Sequence, residues 1–148
     1  MSRVCVSGQT GAAIHVFADD HCPPHVHARH RGEGWVARVG FSFVTNDVRL
    51  ISVTPLRNIP LPRVISHLLQ DVADALPACR GVWWAMRGTV CLANRWALRR
   101  QPIEILSERR PGAVPVVDAS YDPTSRRLSI LWRDGPAVTI AAGSGVEL

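Results

Sequence analysis

The stretch D-D-H-C-P-P-H-V-H-A-R-H-R-G, residues 19–32, holds four of the chain's six histidines. If His25 and His27 lie on one strand, their side chains point to the same face, because side chains alternate along a strand. Neutral imidazoles and carboxylates are ordinary ligands of zinc and manganese. The stretch therefore predicts a zinc or manganese site formed by Asp20, His21, His25 and His27.

The same residue types support two other interpretations. In the first, His25 and His27 are a catalytic pair that acts as general base and general acid in phosphodiester cleavage next to a ribose hydroxyl. Arg29 and Arg31 would then stabilise the charged intermediate. In the second, the histidines bind a partner or hold a turn through hydrogen bonds to backbone carbonyls or to a carboxylate. The sequence alone leaves all three interpretations open.

An antiparallel sheet in the N-terminal part of the chain is expected to hold these residues. Apolar and polar residues alternate in short runs that are separated by turn signals, which is typical of strands. The prolines before His25 exclude a helix there and indicate extended chain. We predict four or five strands, at about residues 3–7, 13–18, 25–30, 35–43 and 49–53.

Two helices are predicted to follow the sheet. Pro62 suits a first helical position, and apolar residues repeat at helical spacing until Pro77 ends the helix. A second helical pattern covers about residues 77–98. Its side opposite the apolar residues would carry four arginines, Arg80, Arg87, Arg95 and Arg99. This arginine stripe is predicted to be either a solvated face or a surface that contacts nucleic acid or a partner protein.

Three further strand-like runs, at about residues 114–120, 128–132 and 137–142, predict a small C-terminal β-meander. A segment of this size without its own core is expected to pack on another domain. The predicted fold is therefore α+β. An N-terminal sheet with two helices packed on it forms residues 1–107, and a three-stranded meander docked on it forms residues 112–148.

The composition indicates which partners and which cellular location to expect. All 17 basic residues are arginine, and the net charge of +5 favours polyanions or an acidic protein as partners. No apolar run is long enough to span a bilayer, and no signal pattern begins the chain, so we expect no membrane association. The four cysteines have no paired spacing and are predicted to be reduced thiols in a cytoplasm.

The motif D-H-C-P-P-H-V-H, residues 20–27, followed by a glycine turn and by Leu61-Pro62-Arg63, resembles the signature of a prokaryotic family of unknown function. This resemblance covers about residues 1–100. The chain departs from the family's pattern at Asn94-Arg95-Trp96, where members often have an Asn-Trp pair. Residues 116–140, with the Asp134-Gly135 turn, resemble a second small uncharacterised family of β-meanders.

Genes of these two families are often neighbours in pairs that resemble toxin–antitoxin units, so the resemblance implies a natural fusion of the pair in a bacterial or phage protein. We accordingly predict a non-enzymatic binding component of a toxin–antitoxin-like or mobile-element (phage or defence) module that contacts nucleic acid or a partner protein. The alternative is a small ribonuclease-like toxin that uses the His25/His27 loop, with or without a metal ion.

Overall fold

The computed structural model describes residues 1–148 and has an α+β fold. Two compact units can be distinguished by their internal contacts. The first consists of Met1–Phe41 and Asp47–Arg87, and the second of Ser42–Asn46 and Gly88–Leu148.

The first unit contains five strands and two helices. The strands are β1 (Ser2–Val6), β2 (Ala13–Val16), β3 (His25–His30), β4 (Trp35–Phe41) and β5 (Val48–Thr54). A short 3-10 turn (Leu56–Asn58) leads to α1 (Pro62–Asp74) and α2 (Leu76–Arg87). The strands form one antiparallel sheet in sequence order, on which the two helices pack. The predicted N-terminal sheet with its two helices is confirmed.

The alternation of side chains gives this sheet two different faces. Ile14, Ala28 and Ala37 are cross-strand neighbours, and all three are fully buried. On the other face, His27 lies between His15 of β2 and Arg38 of β4. We call this second face the histidine face. It carries His25, His27 and Arg29 of β3.

The α1 helix is anchored by both apolar and polar contacts. Leu68 and Val72 are fully buried, as expected for the apolar side of an amphipathic helix. Asp71 accepts hydrogen bonds from Ser7 Oγ at 2.6 Å and from the backbone N–H of Gln9 at 2.9 Å. These bonds tie the helix to the turn between β1 and β2.

The predicted second helix is wrong in its length. The α2 helix ends at Arg87 and is followed by Gly88 at φ +62°, a left-handed conformation that glycine adopts easily and that commonly ends a helix. The pattern continued to residue 98 because apolar residues happen to recur at helical spacing. In the structure, Trp96–Leu98 is instead a strand.

The second unit contains a five-stranded antiparallel sheet rather than three strands. Its strands are β6 (Trp96–Leu98), β7 (Glu104–Leu106), β8 (Val114–Asp122), β9 (Arg127–Trp132) and β10 (Val138–Ala141), in the order β10-β9-β8-β6-β7. The last three strands are those of the predicted meander. β6 and β7 have three residues each, which is too short for a periodic pattern. The predicted domains, 1–107 and 112–148, and their docking stay predictions.

Two of the four cysteines differ from their prediction. Cys22 and Cys91 are disulfide-bonded, whereas Cys5 and Cys79 are free thiols. The expectation of reduced thiols is therefore wrong for the first two. Because disulfides persist mainly in oxidising compartments, this finding weighs against the predicted cytoplasmic location, which stays a prediction. Neither helix is both long and apolar enough to cross a membrane.

Candidate metal centre

The carboxylate of the site is held by a tight turn after β2. The backbone N–H of Asp20 donates to the carbonyl of Phe17 at 3.2 Å, and the N–H of Phe17 donates back to Asp20 Oδ2 at 2.8 Å. Asp20 is only 8 % exposed. One carboxylate oxygen is thus fixed by the backbone, and Oδ1 is left to face the histidines.

His25 and His27 lie at the start of β3 and converge on that oxygen. The Nε2 atom of His27 lies 2.9 Å from Asp20 Oδ1, and Nε2 of His25 lies 3.5 Å from the same atom. The two ring centroids are 5.0 Å apart. One ligand atom from each of the three residues falls within 4.8 Å of the others. The expectation that the two imidazoles share a surface is confirmed.

The hydrogen-bond partner of His25 fixes the position of one ring proton. Nδ1 of His25 lies 2.9 Å from the carbonyl oxygen of Pro23, and since a carbonyl only accepts, Nδ1 carries the proton. Nε2 of His25 is left to face Asp20 Oδ1.

Burial and hydrogen bonding act in opposite directions on Asp20. Burial alone would raise the pKa of its carboxyl group, but the hydrogen bonds from Phe17 and His27 and the charges of His27 and His25 lower that pKa overall. The group is therefore a carboxylate at neutral pH. An ionised oxygen ligand is what a divalent cation requires.

Aromatic rings restrict both imidazoles. Phe17 meets His27 edge to face at a centroid distance of 4.7 Å, and the fully buried Trp83 of α2 lies 5.5 Å from His25. Such contacts limit rotation of the rings, so the nitrogen atoms stay directed at Asp20. Preorganised ligands of this kind lower the conformational cost of binding.

The three residues line a cavity of about 500 Å³, which we call the metal cavity. Its wall also includes His21, Arg38 and Ile51. His21, which the sequence placed among the metal ligands, is exposed and lies outside the converging group. A small ligand can therefore reach the face of the Asp20–His25–His27 group that borders this cavity.

The predicted arginine stripe does not form on α2. Arg80 is only 3 % exposed, and Arg87 donates a hydrogen bond to the carbonyl of Ala18. Arg95 and Arg99 lie beyond the end of the helix, on either side of β6. A contact with nucleic acid through any of these arginines stays a prediction, but they cannot act as one helical face.

The structure brings together other basic residues that the sequence pattern did not group. Arg3, His15, His27 and Arg38 form one row across four strands. Arg29, predicted as a binding residue, is exposed on the same face two positions after His27. The strand register creates this grouping, and local sequence spacing carries no signal for it.

No family model, curated protein or solved structure matches this chain. The two family resemblances of the sequence therefore stay expectations, and the site is interpreted from its own geometry.

Proposed function

We propose that this chain is a metal-binding protein whose divalent ion, zinc or manganese, is held by Asp20, His25 and His27. The observation that carries the proposal is that one carboxylate oxygen and two imidazole nitrogens lie within 4.8 Å of one another. A bound ion would take the place of the His27 Nε2 proton that bonds to Asp20 Oδ1, because a ligating imidazole nitrogen carries no proton. The bond from His25 Nδ1 to a carbonyl is the outer contact that metal-ligating histidines commonly make.

Three protein ligands leave coordination positions for water or a substrate. Such sites with two histidines and one carboxylate are typical of catalytic zinc and of other divalent transition metals. A metal ion held here would supply Lewis acidity towards an oxygen atom of a bound ligand. Asp20, His25 and His27 would hold the ion, while Phe17 and Trp83 would keep the two rings in place.

Two biological roles are compatible with such a site, and both are proposals. The chain could be a non-enzymatic binding component of a toxin–antitoxin-like or mobile-element module, in which the ion orders a surface for a partner protein or nucleic acid. It could instead be a metal-dependent ribonuclease-like toxin. The observation that favours the second role is that the ligand group borders a cavity, which admits a substrate.

The direct test measures the metal content of protein purified without a histidine tag. The protein is incubated with Zn²⁺ or Mn²⁺, dialysed, and analysed by mass spectrometry of the elements. We expect about one ion per chain in the wild type and a large loss in His25→Ala, His27→Ala and Asp20→Asn, since each change removes one of three ligands.

His67→Ala is the matched control, because His67 is an exposed histidine on α1 outside the converging group. This variant should retain the wild-type metal content. If the wild type retains neither metal, or if His67→Ala loses as much metal as His25→Ala, the metal-binding proposal is wrong.

An RNA cleavage assay separates the two roles. A metal-dependent nuclease should lose activity on chelation and regain it when the ion is returned. Cleavage that survives chelation but is lost in both His25→Ala and His27→Ala would instead support metal-free acid–base catalysis. Absence of cleavage by the metal-loaded protein would favour the binding role.

A further inference from the structure

A second cavity opens on the histidine face beside the metal cavity. Its volume is about 520 Å³, and it shares Phe17 and His27 with the metal cavity. We call it the arginine cavity because Arg3, Arg29 and Arg31 contribute to its lining. The lining includes no aspartate or glutamate, so the three guanidinium groups are not neutralised by an acid within the cavity.

The sheet register builds this grouping of basic residues. Arg3 on β1 is the cross-strand neighbour of His15 on β2, and His15 is the neighbour of His27 on β3. Arg29 follows His27 on the same face. Their side chains are therefore brought to one place by strand pairing, which is a more rigid support than a loop.

The guanidinium groups of Arg3, Arg29 and Arg31 give the cavity a positive potential, since no acidic residue lines it. An anion placed between them would experience this potential with a favourable sign.

We propose that the arginine cavity binds a phosphate group, carried either by a nucleotide or by a single-stranded RNA. Arginine forms paired, charge-assisted hydrogen bonds with phosphate oxygens. The apolar lining by Ala13, Phe17 and Val36 offers a surface for the base or ribose, and the volume lies in the range of small-molecule sites. Only the placement of this phosphate next to a bound metal rests on the proposed function.

His27 lines both the metal cavity and the arginine cavity. A phosphate held by Arg3 and Arg29 would lie close to the ring that also faces Asp20. Phosphate esters are therefore the ligand class that we propose for the histidine face, whichever biological role the chain has.

The test is a set of titrations with pyrophosphate, adenosine 5′-monophosphate and a six-nucleotide single-stranded RNA. Binding is measured by calorimetry in chelator and again after metal loading. We expect Arg29→Ala and Arg3→Ala to weaken binding by roughly tenfold or more, because each removes charge-assisted hydrogen bonds to the phosphate. The exposed Arg63 on α1 lines neither cavity, so Arg63→Ala is the control with the same loss of charge and should bind as the wild type does.

The three probes separate the sources of the phosphate. Similar affinity for all three indicates a site for small phosphate esters, whereas binding of the RNA alone, with strong weakening by salt, indicates a strand-binding site. Circular dichroism of each variant establishes that it is folded, and Arg29→Lys, which keeps the charge but loses the paired geometry, should have intermediate affinity.

Binding of none of the probes, or equal weakening in Arg63→Ala and Arg29→Ala, would overturn the proposal. The metal proposal fails independently of this one. The arginine cavity is lined by neither Asp20 nor His25, so wild-type protein in chelator, where no ion is held, should still bind pyrophosphate.

Discussion

The anchor between α1 and the first hairpin permits a quantitative prediction for Asp71→Ala. Asp71 accepts hydrogen bonds from Ser7 Oγ, the Gln9 backbone N–H and Gln9 Nε2, at distances of 2.6, 2.9 and 2.8 Å. Ser7 is only 1 % exposed, so its hydroxyl group would lose its acceptor in a place that water reaches poorly. The alanine variant removes all three bonds without altering the apolar side of the helix.

The expected loss in the free energy of unfolding follows from how exposed each hydrogen bond is. All three bonds have the charged carboxylate as acceptor, but the two from Gln9 are exposed and screened by water, so they contribute about 0.5–1 kcal/mol each, whereas the bond from the buried Ser7 contributes about 1.5–3 kcal/mol. Allowing for partial compensation by water, we expect a loss of about 2–4 kcal/mol in the free energy of unfolding. Asp74 lies three residues later and is exposed, and it bonds only to Gln70 of its own helix at 2.9 Å. Asp74→Ala should therefore cost less than about 0.5 kcal/mol.

The pH dependence of the free energy of unfolding provides a second test of the role of Asp71. Partial burial would raise the pKa of Asp71, but the hydrogen bonds from Gln9 and Ser7 lower it overall. A carboxyl group with a lowered folded-state pKa contributes stability above its unfolded pKa of about 3.9 and loses it as the pH falls through the folded-state value. The difference between wild type and Asp71→Ala should thus be full at pH 7 and shrink on acidification below about pH 4.

Urea unfolding followed by far-ultraviolet circular dichroism measures both quantities, provided that the slope with denaturant is the same in all variants. A loss below about 0.5 kcal/mol at pH 7, or an equal loss in Asp74→Ala, would refute the assignment of Asp71 as an anchor. A loss that does not change between pH 7 and pH 3 would show that the ionised carboxylate is not what stabilises the contact.

Three further outcomes are expected. Trp83→Ala should lower the free energy of unfolding by about 3–5 kcal/mol and also reduce metal retention, because the ring packs against His25; unchanged stability in urea would contradict this. Burial raises the pKa of the Cys79 thiol to about 12, so mass spectrometry should find it unalkylated by iodoacetamide at pH 8 in the folded protein and alkylated after unfolding; rapid labelling of folded protein would exclude that burial. Gly145→Ala should destabilise the second unit by about 1–3 kcal/mol, because Gly145 has φ +64° and a Cβ there would lie 2.9 Å from Pro102 Cβ; a melting temperature equal to that of the wild type would disprove this strain.

Local patterns in the sequence predicted the N-terminal sheet, the first helix and the His25–His27 pair of the candidate site. Strand alternation places His25 and His27 on one face wherever the strand lies, because side chains two positions apart always share a face. Pro62 and the apolar repeat likewise predicted α1 from local preferences alone. These features depend on neighbours along the chain, so a single sequence is enough to find them.

The sequence was least reliable where one local pattern has two physical explanations. Residues 88–98 continue the apolar spacing of α2, yet Gly88 ends the helix and Trp96–Leu98 pairs with β7 and β8. The pairing partners of so short a strand lie elsewhere in the chain. No count of apolar residues within the segment can reveal them.

The residues that complete the site are brought in by a turn and by long-range strand pairing. Asp20 was a candidate by its type, but the turn that fixes Oδ2 on the Phe17 N–H is what directs Oδ1 at both imidazoles. Arg3 lies 24 positions before His27 and joins it in the arginine cavity because β1, β2 and β3 pair in register. Distances across a sheet are set by strand pairing and not by separation along the chain, and that is why the addition of Arg3 to Arg29 and Arg31 in this cavity has no signal in any local pattern of the sequence.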